Sequence, residues 1–127
     1  MKDTIFKAND IRGKYPDELN EEAAGQIAAV LAKHWSSGKV VVAHDARLSS
    51  PALYNAVIHK LKTYNLNLIT VGLSTTPMFY FLVNELKAAG GVMITASHNP
   101  KEYNGFKIVG SRAEVISGKE IWELIKK

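Results

Sequence analysis

The 127-residue sequence contains no cysteine, which excludes disulfide bonds and thiolate metal sites. It has no uninterrupted apolar stretch that approaches the length of a membrane span. Its first residues, Met1-Lys2-Asp3-Thr4, lack the apolar region of a signal peptide. Long runs of one charge are also missing, because the longest Lys/Arg run is the pair Lys126-Lys127. These absences predict a cytoplasmic protein that does not bind a membrane.

Composition and length predict one folded domain, spanning residues 1–127. Apolar residues make up 46% of the sequence, as in globular rather than disordered proteins. The chain is long enough for one real core and too short for two. The net charge is +4, from 16 basic and 12 acidic residues, which would suit nucleic acid or phosphate-bearing metabolites. Because the basic residues are scattered and form no stripe with aromatic residues, we expect no nucleic-acid partner. A nucleic-acid binder would reveal itself by binding that weakens steeply with salt.

Segments of strand and helix character alternate along the chain, which predicts a sheet covered by helices on both faces. The last two predicted strands are separated by only about ten residues. That distance is short for a crossover and predicts an antiparallel pair. The predicted fold is therefore α/β, a three-layer α/β/α arrangement with a mixed, mostly parallel sheet. About four strands are expected, at residues 39–43, 67–71, 92–95 and 106–109.

Short polar residues mark the predicted helix starts. Asn20 is expected to cap the first helix, and Ser117 with Glu120 forms a capping box for the last. Ser50-Pro51 and Thr76-Pro77 each read as a cap followed by proline at the first helical position. Residues 9–13, ahead of the first helix, are predicted to form a polar loop.

Three loops follow the carboxyl ends of the inner strands, at residues 44–47, 72–76 and 96–100. In a parallel sheet these loops share one edge, and ligands of open α/β sheets usually bind there. The side chains expected to converge at this edge include a carboxylate, a guanidinium, a hydroxyl and an imidazole. Such a convergence indicates a site without naming its reaction. These four residues are Asp45, Arg47, Ser97 and His98.

The most specific pattern is Thr95-Ala96-Ser97-His98-Asn99-Pro100 followed by Tyr103-Asn104-Gly105-Phe106-Lys107. It closely resembles the phosphoserine loop of the α-D-phosphohexomutases, the phosphoglucomutase/phosphomannomutase family. The early Asp10-Ile11-Arg12-Gly13 is similar to a signature of the same family. The resemblance implies that Ser97 carries a phosphate that is passed to and from a hexose phosphate.

The resemblance also implies a catalytic centre around Ser97. It places Arg12 near the phosphoserine, Lys107 near the transferred phosphoryl group as an acid/base or electrostatic residue, and His98 in the cleft. Each has a simpler alternative. Ser97 could only complete a turn, Arg12 could be a surface arginine, and Lys107 a solvated strand lysine. His98 could bond to its own loop.

Four further residues are expected to support the Ser97 loop. Family members have Gly-x-Asp-x-Arg where this chain has Ala43 before Asp45 and Arg47. The alternative for this pair is a local ion pair that holds the loop. Asn99 and Asn104 complete the set, although Asn104-Gly105 is primarily a turn sequence.

The resemblance extends from Asp10 to the last helix but matches only the first of the family's four domains. The Asp-Gly-Asp-Gly-Asp loop that holds Mg²⁺, the Gly-Glu-x-Ser sugar-selecting loop and the later phosphate-binding loop are not found in this sequence. In the complete enzyme, which acts on glucose or mannose phosphates, phospho-Ser97 would supply one Mg²⁺ ligand. We expect this chain alone to bind Mg²⁺ weakly, to be inactive, and to have the remaining mutase domains as partners. The alternative is a non-catalytic module that binds those domains or another protein.

Overall fold

Six strands form one mixed sheet in the computed structural model, which describes residues 1–127. The sheet order is β1-β5-β4-β2-β3, and β6 pairs with β5. The pairs β2–β3 and β2–β4 are parallel, whereas β1–β5, β4–β5 and β5–β6 are antiparallel. The strands are β1 (Ile11–Lys14), β2 (Lys39–His44), β3 (Asn67–Leu73), β4 (Gly90–Ile94), β5 (Tyr103–Gly110) and β6 (Val115–Ile116).

The predicted α/β/α layering and the antiparallel last pair of strands are confirmed, but the expected strand count of about four is wrong. The two strands that were not predicted are β1 and β6. β1 was interpreted as loop because only one of its four residues, Ile11, is strongly apolar. β6 is only two residues long and gives no periodic signal. Both strands are held by pairing with β5, which local sequence does not reveal.

Four helices cover the two faces of the sheet. The Asn20 side chain caps α1 by accepting a hydrogen bond from the Ala23 amide (2.9 Å), and the Ser117 capping box is present at α4, so both predictions are confirmed. The other two caps were predicted one residue too late. Ser50 and Thr76 are the first residues of their helices, and Thr75 caps α3. The helices are α1 (Glu21–Trp35), α2 (Ser50–Leu61), α3 (Thr76–Glu85) and α4 (Gly118–Lys126).

The core is divided by the sheet into two apolar clusters, as strand alternation requires. Val40 and Val42 of β2 face the side covered by α1, α2 and α4. Val41 and Ala43 face the smaller cluster under α3. All five residues of β4 are buried, because this strand lies in the middle of the sheet. None of the helices combines the length and the hydrophobicity that a membrane span requires.

Gly105 of β5 lies where two neighbouring backbones crowd it. A Cβ atom at this position would overlap the Ile11 carbonyl oxygen of β1 and would lie 3.1 Å from the Thr95 carbonyl oxygen. Both obstacles are main-chain atoms, one in β1 and one directly after β4, which cannot move aside as a flexible side chain can. The backbone packing around position 105 therefore requires glycine there.

Gly105→Ala is expected to lower the free energy of unfolding by about 1–3 kcal/mol, because the methyl group must push β1 and β5 apart. Gly25→Ala is the matched control. A Cβ at Gly25 has only the Lys60 side chain nearby, at 3.7 Å, so alanine should raise the free energy of unfolding by about 0.5–1 kcal/mol. Urea denaturation of the three proteins measures both changes. Equal stability of Gly105→Ala and the unsubstituted chain would contradict the predicted overlap.

Candidate active site at the carboxyl edge of the sheet

The candidate site lies where β2 and β4 end side by side. The two strands are parallel, with His44 opposite Ile94, so the loops that follow them leave the same edge. The helices that follow β2 and β3 pack on opposite faces, α2 on the larger cluster and α3 on the smaller. The strand order in the sheet thus reverses between β2 and β4. Open α/β sheets bind their ligands at such a switch point.

Ser97 occupies a tight turn directly after β4. Its φ angle is 55°, in the left-handed region that non-glycine residues rarely adopt. The Ser97 amide donates to the buried Thr95 hydroxyl (3.0 Å). Both the backbone amide (3.1 Å) and the side-chain amide (2.8 Å) of Asn99 donate to the Ala96 carbonyl. The turn is closed by these local bonds, and Ser97 is exposed at its tip.

The Arg47 guanidinium binds the whole 97–103 loop through backbone carbonyl oxygens; we refer to these four bonds as the Arg47 clamp. Nη2 donates to the carbonyls of Ser97 (2.9 Å) and Asn99 (2.7 Å). Nη1 donates to the carbonyls of Pro100 (2.7 Å) and Tyr103 (3.1 Å). One side chain from the loop after β2 therefore satisfies four carbonyls of the loop after β4. The planar fork of donors in arginine makes this possible.

Asp45 orients Arg47 from the other side. The carboxylate lies 3.4 Å from Arg47 Nε and accepts a hydrogen bond from the Arg47 amide (3.1 Å). It also accepts the hydroxyl proton of Ser50 at 2.5 Å. Asp45 and Arg47 do form the local ion pair that was the alternative interpretation, and Arg47 in addition contacts the Ser97 loop. Both interpretations of the pair are thus present in one arrangement.

A second cluster is built around the buried carboxylate of Asp10. Arg12 Nε lies 2.9 Å from one carboxylate oxygen, and Lys107 Nζ lies 3.8 Å from the other. Arg12 is opposite Gly105 in the β1–β5 pair, and Lys107 follows Gly105 by two residues, so both side chains leave the same face of the sheet. This is the face covered by α3, because Val109, again two residues on, belongs to the α3 cluster.

The two clusters meet at one pocket but share no side-chain bond. Gly105 is hydrogen-bonded to Thr95 and paired with Arg12, so β5 separates Arg12 from the Ser97 turn. A pocket of ≈ 300 Å³ is lined by Arg12 on one side and by Asn99 and Tyr103 on the other. His98 is exposed beside Ser97 and has no hydrogen bond within the chain. No hydrogen bond supports the alternative in which His98 bonds to its own loop.

Three residues of this region were not predicted from the sequence to belong to the site. Asp10 has a recognisable signal, since it is the acidic residue that opens the Asp10-Ile11-Arg12-Gly13 motif. Ser50 was interpreted as a helix cap, and its bond to Asp45 had no sequence signal. Tyr80 of α3 is half-buried, and its pKa is raised above the ordinary value by burial and by the negative charge of Asp10.

The chain does not bring together a set of metal ligands. No three His, Asp or Glu side chains lie close enough to hold an ion. Asp10 is shared between Arg12 and Lys107, and Asp45 is bound by Arg47 and Ser50. Cations therefore already neutralise the two carboxylates of the site, and these residues do not fit a Mg²⁺ centre on their own.

The sequence of residues 3–127 matches the family described as phosphoglucomutase/phosphomannomutase, alpha/beta/alpha domain I. The chain belongs to the phosphoglucomutase/phosphomannomutase family. The resemblance carried by the Ser97 and Arg12 motifs is thereby confirmed for the first domain of these enzymes.

Relatives of known name agree with this assignment. A phosphohexose mutase of Xanthomonas campestris pv. campestris (strain B100) is 52% identical over 112 residues, which are 88% of this chain and 25% of that protein. A phosphomannomutase of Klebsiella pneumoniae is 43% identical over 91% of this chain and 73% of its own length. A crystal structure of a phosphoglucomutase/phosphomannomutase family protein from Burkholderia thailandensis aligns with a TM-score of 0.85 and 34% identity, over 99% of this chain and 30% of that one. The chain thus spans about a quarter of the length of the Xanthomonas relative.

Asp10→Asn is expected to lower the pKa of Tyr80 part of the way to its ordinary value. The negative charge of Asp10 disappears, but burial, the larger cause, remains. A raised pKa in the folded state means that protonated Tyr80 stabilises the fold fully below the unfolded pKa of about 10. That stabilisation is lost as the pH rises through the folded pKa. Ultraviolet titration near 295 nm measures the shift, and Tyr80→Phe identifies the Tyr80 transition.

Tyr15 serves as the internal control for this titration. Its pKa is raised mainly by its hydrogen bond to Glu21, with smaller contributions from burial and from the Glu21 charge. Asp10→Asn should leave the Tyr15 transition unchanged. A Tyr80 transition that does not move, or a Tyr15 transition that moves equally, would contradict the effect of the Asp10 charge on the pKa of Tyr80.

Proposed function

We propose that this chain is the phosphoserine-bearing domain of a phosphohexomutase, and that Ser97 is the residue that carries the phosphate. The complete enzyme would interconvert hexose 1-phosphates and 6-phosphates, with glucose or mannose phosphate as substrate. The observation that carries this proposal is the position of Ser97. It is exposed in a turn after the central strand, and the Arg47 clamp fixes that turn from a neighbouring loop.

The proposed reaction is two phosphoryl transfers through one serine. A sugar hydroxyl attacks the phosphorus of phospho-Ser97 and gives its proton to a base in the site. The P–Oγ bond breaks, and Ser97 Oγ takes up a proton to become a hydroxyl again. The resulting hexose bisphosphate reorients in the site so that its other phosphate faces Ser97. The Ser97 hydroxyl then attacks the phosphorus of the other phosphate and gives its proton to a base. The bond from that phosphorus to the sugar oxygen breaks, the sugar oxygen takes up a proton, and a hexose monophosphate with its phosphate at the other position is released.

Arg12 and Lys107 are the cations that this chain offers to the transferring group. They lie on the same sheet face and share a single carboxylate, Asp10, so the cluster keeps a net positive charge. Charge-assisted bonds from such donors stabilise the negative charge that spreads over a transferring phosphoryl group. Lys107, at 24% side-chain exposure, is accessible enough to exchange a proton with a substrate. His98 is the exposed imidazole nearest to Ser97 in sequence and is a second candidate for that exchange.

Mg²⁺ in the complete enzyme would neutralise charge on the phosphoryl group, and phospho-Ser97 would provide one oxygen ligand. The remaining ligands would come from outside this chain, because Asp10 and Asp45 are already paired with cations. We therefore propose that this chain alone binds Mg²⁺ weakly.

A second candidate function is a non-catalytic module that docks onto other domains or another protein. One observation favours a docking role: Leu73, Met78 and Phe81, at the end of β3 and on α3, are 67%, 48% and 55% exposed. Large apolar side chains grouped at one end of a helix are typical of contact surfaces. We propose the remaining domains of the mutase as the occupant, since the Xanthomonas relative is about four times as long. Phosphorylation of Ser97 separates this candidate from the catalytic one.

Ser97 is expected to be the phosphoacceptor when the chain is mixed with the remaining three quarters of the Xanthomonas relative and a labelled hexose 1,6-bisphosphate. Peptide mapping should place the label on Ser97, because only this serine combines exposure with the fixed turn after β4. Ser97→Ala should take up no label, and Ser74→Ala, from the loop after β3, should label fully. Label on another serine, or full labelling of Ser97→Ala, would refute the assignment.

The 127-residue chain alone is expected to interconvert hexose phosphates more than about a thousandfold more slowly than the mixture. Phosphoryl transfer needs donor, metal and a held acceptor together, and this chain supplies only the donor and a few cations. Coupled assays of hexose 6-phosphate formation measure both rates. Ser97→Ala reports contaminating host mutase. Comparable Ser97-dependent rates with and without the added domains would overturn this expectation.

A further inference from the structure

Ser50 is the first residue of α2, yet its hydroxyl does not cap the helix. The residue is completely buried and lies between two polar side chains from distant parts of the chain. Its Oγ donates to Asp45 at 2.5 Å and accepts from Asn104 Nδ2 at 3.0 Å. Ser50 therefore connects the loop after β2 with the first residues of β5.

Asn104 is also completely buried, and its orientation is determined by its neighbours. The Gly105 amide donates to Asn104 Oδ1 (2.8 Å), and a backbone N–H can only donate. The oxygen is thereby fixed on that side, so Nδ2 must point at the serine hydroxyls of α2. It donates to Ser49 (2.7 Å) and to Ser50 (3.0 Å). Both Oδ1 and Nδ2 of Asn104 therefore have hydrogen-bond partners within the protein.

The direction of every bond in this chain of contacts is then defined. Because Asn104 donates to Ser50, the single hydroxyl proton of Ser50 is available for Asp45. Asp45, an acceptor only, holds the amide and Nε of Arg47. The remaining guanidinium donors of Arg47 bind the 97–103 loop. A continuous relay of bonds thus runs from Asn104 through Ser50, Asp45 and Arg47 to the carbonyl of Ser97, and Asp45 accepts from both Ser50 and Arg47.

We propose that Ser50 and Asn104 are positioning residues for the Ser97 loop, acting through Asp45 and the Arg47 clamp. The importance of this role for catalysis rests on the proposed function of Ser97, whereas the effect of the two residues on the loop does not depend on it. Ser49 provides the contrast. It accepts a bond from the same Asn104 amide but makes no hydrogen bond to Asp45, so it lies outside the relay.

Removal of the Ser50 hydroxyl deprives Asp45 of one of its donors and leaves the Asn104 amide with Ser49 alone. The Asp45 carboxylate is then free to turn, and the Arg47 guanidinium loses its fixed orientation. The consequence should be confined to the loop, because the sheet pairs on either side do not use these groups. The amides that report on the loop are those of Ser97, Asn99 and Tyr103, which donate within it.

The experiment is amide hydrogen exchange by NMR on the 127-residue chain. Ser50→Ala should speed exchange of the three loop amides about tenfold, the loss expected for one charge-assisted bond. Val41 and Val92, which lie in the sheet, should keep their rates. Ser49→Ala is the matched control and should leave the loop rates within about twofold. If Ser50→Ala does not fold, the nearly isosteric Ser50→Cys, with a much weaker donor, should give the same pattern.

Coupling to Arg47 distinguishes positioning from general destabilisation. Arg47→Gln removes the clamp and should speed loop exchange at least as much as Ser50→Ala. The double variant should be no faster than Arg47→Gln alone, because both changes act along one path. Additive effects, uniform acceleration across the sheet, an equal effect of Ser49→Ala, or unchanged loop rates would each overturn the proposal.

The exchange rates are read without any phosphoryl transfer. If the loop responds as expected but Ser97 takes up no label in the mixed system, the proposed function fails while the relay stands. If Ser97 is labelled but the loop amides do not respond to Ser50→Ala, the proposed function stands and the relay fails.

Discussion

The geometry of the site depends on one guanidinium group. The segment of residues 97–103 reverses the chain between β4 and β5, and Arg47 binds four of its carbonyl oxygens. A lysine could not replace it, because an ammonium offers a compact set of three donors rather than a wide planar fork. With the side chain only 14% exposed, these bonds are partly shielded from competing water. The turn that presents Ser97 is therefore bonded directly to the loop after β2 that carries Arg47.

The reversal at this loop also brings the second cluster to the site. Because β5 runs antiparallel to β4, residues shortly after the Ser97 turn return along the same edge. Because successive side chains of a strand point to opposite faces of the sheet, these residues are divided between the two faces. Asn104 faces α2 and stabilises the loop from within the core, while Lys107 faces the α3 side and remains accessible. β1 adds Arg12 beside Lys107, and the buried Asp10 keeps the two cations together. One strand, β5, thus carries a buried contact to α2 on one face and an accessible cation on the other.

Much of this arrangement could be predicted from the sequence, for a physical reason. Alternating strands and helices imply parallel strands, and parallel strands place successive loops at one edge, so the meeting of Asp45, Arg47 and Ser97 follows from order alone. The hydrogen-bond partners within the site, in contrast, cannot be predicted from the order of the elements. Ser50 before Pro51 has every local mark of a helix cap, yet its hydroxyl binds Asp45 and Asn104. Asn104 is 54 residues away in sequence, and no local pattern encodes that contact. β1 was missed for the same reason, since its pairing with β5 outweighs a weak local preference.

The division of the site into a fixed part and an open part has a mechanistic consequence if Ser97 carries the phosphate. Catalysis gains most from charges and donors that need not rearrange during the reaction. Here the turn is held by bonds formed on folding, and Arg12 and Lys107 are held by a carboxylate that is itself buried. The phosphoryl group would then be presented in nearly the same place whether or not a sugar is bound. A rigid donor suits a reaction in which the bisphosphate must turn over, because the sugar, not the serine, is the part that has to move.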